Sequence, residues 1–145
     1  MRRLVIDASV YVKWFNRGEE DEAQAISIRD DYVEGRLELQ SPSLLLYEAL
    51  NAVRKNPNLA NEEARDLAIE VYELMPAQTE LNSDIAKATV DLARERSISV
   101  YDACYIELAR RLKIQLITAD EKQHRAARDY ANCKHLKDYR PVVST

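Results

Sequence analysis

Short apolar runs separated by helix-length segments constrain this chain more than any other feature. Residues 3–6 form a mostly apolar run containing Val5 and Ile6, residues 37–40 a second, and residues 114–118 the clearest one, Ile-Gln-Leu-Ile-Thr. Runs of this length rich in β-branched residues read as buried strands. The segments between them carry helix punctuation. A charged stretch over 20–34 closes at Gly35, a favoured residue just past a helix end. Pro42 suits the first turn of a helix over 43–55. Asn61, Ser83, Ser99 and Asp120 are expected to open helices over 61–74, 83–96, 99–113 and 120–130. A helix is also expected to begin within 9–15, and a last short strand near 134–136. Strands alternating with longer helices predict an α/β class built on a parallel sheet. Ligands of such sheets bind beyond the carboxyl ends of the strands.

The length of 145 residues suits one domain spanning 1–145, large enough to bury its core without staples. No apolar run approaches the roughly 20 residues of a membrane span, and Met1-Arg2-Arg3-Leu4-Val5-Ile6-Asp7 is no signal peptide. A cytoplasmic protein without membrane contact is expected. Cys104 and Cys133 are the only cysteines, and His124 and His135 the only histidines. Their spacing disfavours a zinc site, and free thiols are expected in a chain lacking a secretion signal. Two histidines near the C-terminus also make a serine or cysteine triad hard to build. Any chemistry therefore falls to carboxylates. The net charge of −4 argues against nucleic acid by itself, but a local basic rim or a bound divalent cation overrides a global charge.

Asp7, Glu48, Asp102 and Asp120 stand out by position. Asp7 and Asp120 follow strands, and each has an alternative as a helix N-cap. Asp102 follows Ser99 at capping-box spacing, and an acid in a first helical turn is favoured by the helix dipole. Glu48 shares a helical stripe with Leu44, Leu45 and Ala52, where a carboxylate is costly unless a cation or hydrogen-bond donor meets it. Ser9 and Thr118 sit beside the two strand-end acids as supporting groups. If the strands preceding Asp7 and Asp120 are neighbours, all four acids converge. Two carboxylates 4 Å apart repel by roughly 4 kcal/mol at an effective dielectric of 20. Protons or divalent cations must then neutralise the group, and oxygen-only ligation suits Mg²⁺ or Mn²⁺. Such an ion can activate water toward a phosphodiester.

Val5-Ile6-Asp7-Ala8-Ser9, Tyr47-Glu48-Ala49, Tyr101-Asp102-Ala103-Cys104-Tyr105 and Thr118-Ala119-Asp120 together resemble the PIN-domain ribonucleases. Their order and spacing most resemble the VapC-type toxins of toxin–antitoxin modules. The resemblance implies a three-layer α/β/α fold around a parallel sheet. It implies Mg²⁺ or Mn²⁺ held chiefly by Asp7 and Asp102, completed by Glu48 and Asp120, and hydrolysis of an RNA phosphodiester. It further implies a homodimer and a small VapB-type antitoxin that covers the active site.

Lys13, Arg54 and Lys122, with Arg17, Lys55 and Arg125, are available to hold RNA, and Tyr11, Trp14 and Tyr105 to stack bases. Most such side chains are solvated or core residues in the ordinary case. A haloacid-dehalogenase-type phosphatase needs a second Asp two residues after the first, where Ser9 stands. A phospho-receiver domain needs an acidic pair near the first strand and a late lysine, and neither alternative accounts for Glu48. RNA processing without an antitoxin remains open, as does an inactive binding module with the acids serving as caps.

Overall fold

The computed structural model describes residues 1–142. Strand β1 (Arg2–Ile6) runs into helix α1 (Ala8–Tyr11), which tightens into a 3₁₀ turn over Val12–Trp14. Helix α2 (Glu22–Val33), strand β2 (Leu37–Pro42), helices α3 (Leu44–Lys55) and α4 (Asn61–Glu73) and strand β3 (Ala77–Thr79) follow. Helices α5 (Ser83–Arg96) and α6 (Val100–Leu112), strand β4 (Gln115–Thr118), helix α7 (Glu121–Ala126) and strand β5 (Cys133–His135) complete the order. The five strands form one parallel sheet in the order β3-β2-β1-β4-β5.

That order decides where a ligand can bind. The chain steps from β1 to β2 and β3 on one side, then crosses over to β4 and β5 on the other. Right-handed crossovers therefore put α1–α4 on one face and α5–α7 on the other, giving the α/β/α layers expected. The direction of winding reverses between β1 and β4, and a crevice opens at the carboxyl ends of those two strands. Ile6 pairs in register with Ile117, so the next residues of each strand meet at the crevice floor.

Both central strands are apolar because both faces are covered. Leu4, Val5, Ile6, Leu116 and Ile117 are almost completely buried, as are Leu37 and Leu39 of β2. Helix α6 is the most deeply set: Ala103 through Ala109 are all buried, including Glu107. That carboxylate is held by Arg110, Arg111 and the Tyr130 hydroxyl, which removes the cost of burying it.

Several boundaries differ from expectation for local reasons. Pro42 ends β2 and does not lie in the first turn of α3. Asn82, one residue before Ser83, caps α5 by accepting from the Ile85 N–H at 2.9 Å. Asn61 lies inside α4; Ala60 precedes the helix, and its N–H donates to Glu63. The strand β3 was not expected, because its three residues Ala-Gln-Thr form no run of large apolar side chains and are largely exposed at the sheet edge. Both cysteines are free thiols.

Candidate active site

Asp7 lies at the crevice floor and is 5% exposed. It occupies the N-cap position of α1 without a side-chain capping bond of ordinary geometry, and the nearby Val10 N–H only helps to pull its carboxyl down. The Ser9 hydroxyl donates to Oδ1 at 2.6 Å, and the Thr118 hydroxyl donates to Oδ2 at 2.9 Å. The N–H groups of Ala119 and Asp120 donate in turn to those two hydroxyls, at 2.9 and 3.0 Å. Each hydroxyl has one proton, and both are spent on Asp7. The backbone after β4 is thus wired through two hydroxyls into one carboxylate at the end of β1. Burial pushes the Asp7 carboxyl up to about 7, against the opposing hydrogen bonds and with a further push from Glu48.

Glu48 projects from α3 and accepts a 2.6 Å hydrogen bond from the Tyr105 hydroxyl of α6. Its carboxyl is raised, first by burial and then by Asp102, with the Tyr105 bond opposing. Asp102 sits in the first turn of α6. Ser99 performs the capping there, accepting from the Asp102 N–H at 3.0 Å. The Asp102 carboxyl is raised by burial and then by the charge of Asp120, while Ser99 and the Lys122 ammonium pull it down. Asp120 is exposed and does cap α7, accepting from the Gln123 N–H at 2.9 Å. The Gln123 side chain donates to the Asp102 carbonyl at 3.1 Å instead of completing the box, tying α7 to α6.

The four acids therefore form a chain of mutual repulsion: Glu48 on Asp7, Asp102 on Glu48, Asp120 on Asp102. They do not close into a single ligand cage. Among the described residues, no three acidic, histidine or cysteine side chains stand close enough together to hold one ion between them. The physical reason is visible in the partners: Asp7, Glu48 and Asp120 are each drawn to their own donors, and like charges separate. The donor chemistry still fits a hard divalent cation. It is all oxygen, and Asp7 keeps spare lone pairs on both oxygens after accepting one bond on each. Mg²⁺ takes one or two carboxylates and keeps several waters, so an open arrangement suits it better than a closed cage.

A cleft of about 530 Å³ beside the acids is lined by Ser9, Lys13, Glu19, Glu48, Lys55 and Asp120, among others. A larger one of about 720 Å³ along α2 contains none of the four acids. Its buried carboxylate, Asp31, is already satisfied. Burial pushes it up, but bonds from the Val142 N–H, the Tyr139 hydroxyl and Arg36 outweigh that and hold it low. Pro141 and Val142 form part of that cleft's wall, held there by the Val142 N–H on Asp31.

The candidate RNA contacts divide. Lys13 and Lys55 line the acidic cleft, and Lys122 lies near Asp102. Arg54 does not line the cleft and donates to the Asn51 side chain, and Arg17 pairs with Glu22. Tyr11, Trp14 and Tyr105 are buried and cannot stack bases, so of the two roles open to them the core role is the one observed. Tyr47 and Tyr101, 70% and 61% accessible, are exposed and directly precede Glu48 and Asp102; Tyr72 is exposed as well, away from these acids in the chain. No sequence signal separated these tyrosines from the buried ones.

Sheet order, switch-point acids and covering helices together define a PIN-type domain. Residues 4–129 match the PIN domain family, and the chain belongs to it. It is 29% identical over 124 residues to Ribonuclease VapC3 of Pyrobaculum aerophilum, covering 83% of this chain and 91% of that protein. Among solved structures, FitAcB of Neisseria gonorrhoeae superposes with a TM-score of 0.70 at 12% identity, over 94% of this chain and 99% of that one. A toxin–antitoxin complex from Klebsiella pneumoniae gives 0.62 at 15% identity, over 92% and 97%. At those identities the two structures speak to the fold.

Proposed function

We propose that this PIN-domain chain is a divalent-metal-dependent endoribonuclease serving as the toxin of a toxin–antitoxin pair. The observation that carries the reading is Asp7: a carboxylate buried at the switch point, held by two hydroxyls and repelled by a second acid. Burial of that kind is costly for a purely structural group, and a cation relieves it. Kinship to a protein named as a VapC ribonuclease supports the choice of RNA, and a neighbour described as a toxin–antitoxin complex supports the partner.

Asp7 and Asp102 would hold the ion, with Glu48 and Asp120 completing its surroundings through water. When bound, it would supply Lewis acidity and neutralise charge developing on a phosphodiester. The chain's own residues do the rest. Ser9 and Thr118 fix both oxygens of Asp7, so its remaining lone pairs point in set directions. Tyr105 fixes Glu48 from the opposite layer. Lys13, Lys55 and Lys122 offset the repulsion that an acidic cleft exerts on a polyanion.

RNA cleavage by the purified protein should require Mg²⁺ or Mn²⁺ and stop on chelation. Asp7→Asn should lower the rate at least about a hundredfold with an unchanged circular dichroism spectrum. Cleavage that persists in both conditions would end this reading. For the toxin role, expression alone should arrest growth, and co-expression of the small protein encoded beside it should restore it.

A further inference from the structure

We propose that Glu19 is a latch on Lys13: it holds the lysine's ammonium in the free protein and gives it up to an RNA phosphate. The inference rests on the nuclease reading and concerns the same cleft. Lys13 lies one helical turn after Ser9, the residue that grips Asp7, and both line the cleft with Glu48 and Asp120. Its side chain is 11% exposed, and its Nζ is 3.2 Å from Glu19 Oε2. A cation this sheltered needs an anion beside it. Glu19 is that anion, yet its own side chain is 45% exposed and belongs to a loop between the 3₁₀ turn and α2.

The two partners are thus unequal. Lys13 is packed into the wall; Glu19 reaches it from outside. The loop is turned back by Gly18, whose φ of +90° suits glycine, and by Glu22, which accepts from Arg17 and from the Gly18 N–H. With those two contacts fixing the loop's base, the Glu19 side chain can swing into solvent without disturbing the core. A phosphate at the same place compensates Lys13 equally well, so the exchange swaps one anion for another. Glu19 is also a third acid, beside Glu48 and Asp120, in the lining of a cleft that must admit a polyanion, so its departure lowers the barrier to entry a second way. An ion pair that merely braced the loop would have no reason to stand in the acidic cleft, and it makes the opposite prediction.

The test is binding of a single-stranded oligoribonucleotide across a salt series, in the Asp7→Asn background so that RNA stays uncut. Glu19→Gln should tighten binding by about fivefold. Lys13→Met should weaken it and reduce the slope of log K against log salt by about 0.7, one phosphate contact. Because the latch acts through Lys13, Glu19→Gln should gain at most half as much, on a logarithmic scale, in the Lys13→Met background. Unchanged or weaker binding by a folded Glu19→Gln variant, or an equal gain without Lys13, overturns the latch. Absence of oligoribonucleotide binding in every variant overturns it too. Wild-type cleavage is assayed alongside: a protein that binds but never cuts RNA sinks the nuclease reading, while the binding cycle still decides the latch.

Discussion

Asp7 concentrates the chemistry of the chain in one carboxyl group. Its value of about 7 reflects burial first, which favours the protonated form. The folded protein therefore holds this proton more tightly than the unfolded chain does. The resulting stability is complete below the ordinary carboxylate range near 3.8 and is lost as pH rises through about 7. Denaturant titrations of metal-free protein should show stability falling between pH 4 and 8, by a few kcal/mol from this group. Asp7→Asn should remove most of that slope and be the more stable protein at pH 8, despite its much lower rate of RNA cleavage. A slope of the opposite sign would mean that Asp7 is ionised and well compensated without metal. Tyr105→Phe probes Glu48 in the same way. Losing the 2.6 Å donor should raise the Glu48 carboxyl further and shift the acid limb of the cleavage pH profile upward. An unmoved profile would make Tyr105 a packing residue only.

Helix starts explain why the acids were readable as a set and ambiguous one by one. Asp7, Asp102 and Asp120 all stand where a capping residue or first-turn acid is expected, and sequence spacing cannot say whether the oxygen turns toward its own helix or away. The outcome differs each time: Asp7 turns to Ser9 and Thr118, Ser99 caps α6 as expected by accepting from the Asp102 N–H, and Asp120 does cap. Substitutions should follow that division. Ser99→Ala and Asn82→Ala should each cost about 1 kcal/mol in denaturant unfolding, whereas Asn61→Ala should cost only a few tenths. Asp102→Ala should not cost stability as a lost cap would; in metal-free protein it should be neutral or stabilising, since its carboxyl is held above its ordinary range. Equal losses at Ser99 and Asp102 would restore the capping-box interpretation. The strand β3 escaped notice for a related reason. It carries no apolar run, and the neighbouring strand β2 supplies its pairing.

The layered sheet brings acids distant in the chain to the carboxyl ends of β1 and β4, which is where the proposed ion would bind. Binding to the native state alone stabilises it by about 2.7 kcal/mol at a hundredfold excess over Kd, so Mn²⁺ or Mg²⁺ should raise the melting temperature by several degrees. Asp7→Asn and Asp102→Asn should lose that gain. No shift with either ion at millimolar concentration would refute metal binding for the whole site. The local code was sufficient for strands β1, β2 and β4, for most helix boundaries, and for the presence of an acid just after two strand ends. These depend on apolar periodicity and on hydrogen bonds between residues two to four apart. Tertiary structure alone decided the rest. The order β3-β2-β1-β4-β5 sets β4 beside β1, which lets Thr118 reach Asp7 across 111 residues of chain. It also decided which tyrosines are core and which are surface, and it set Glu19 on Lys13. Those outcomes depend on how elements far apart in the chain pack together, and that competition leaves no signature within any short window of sequence.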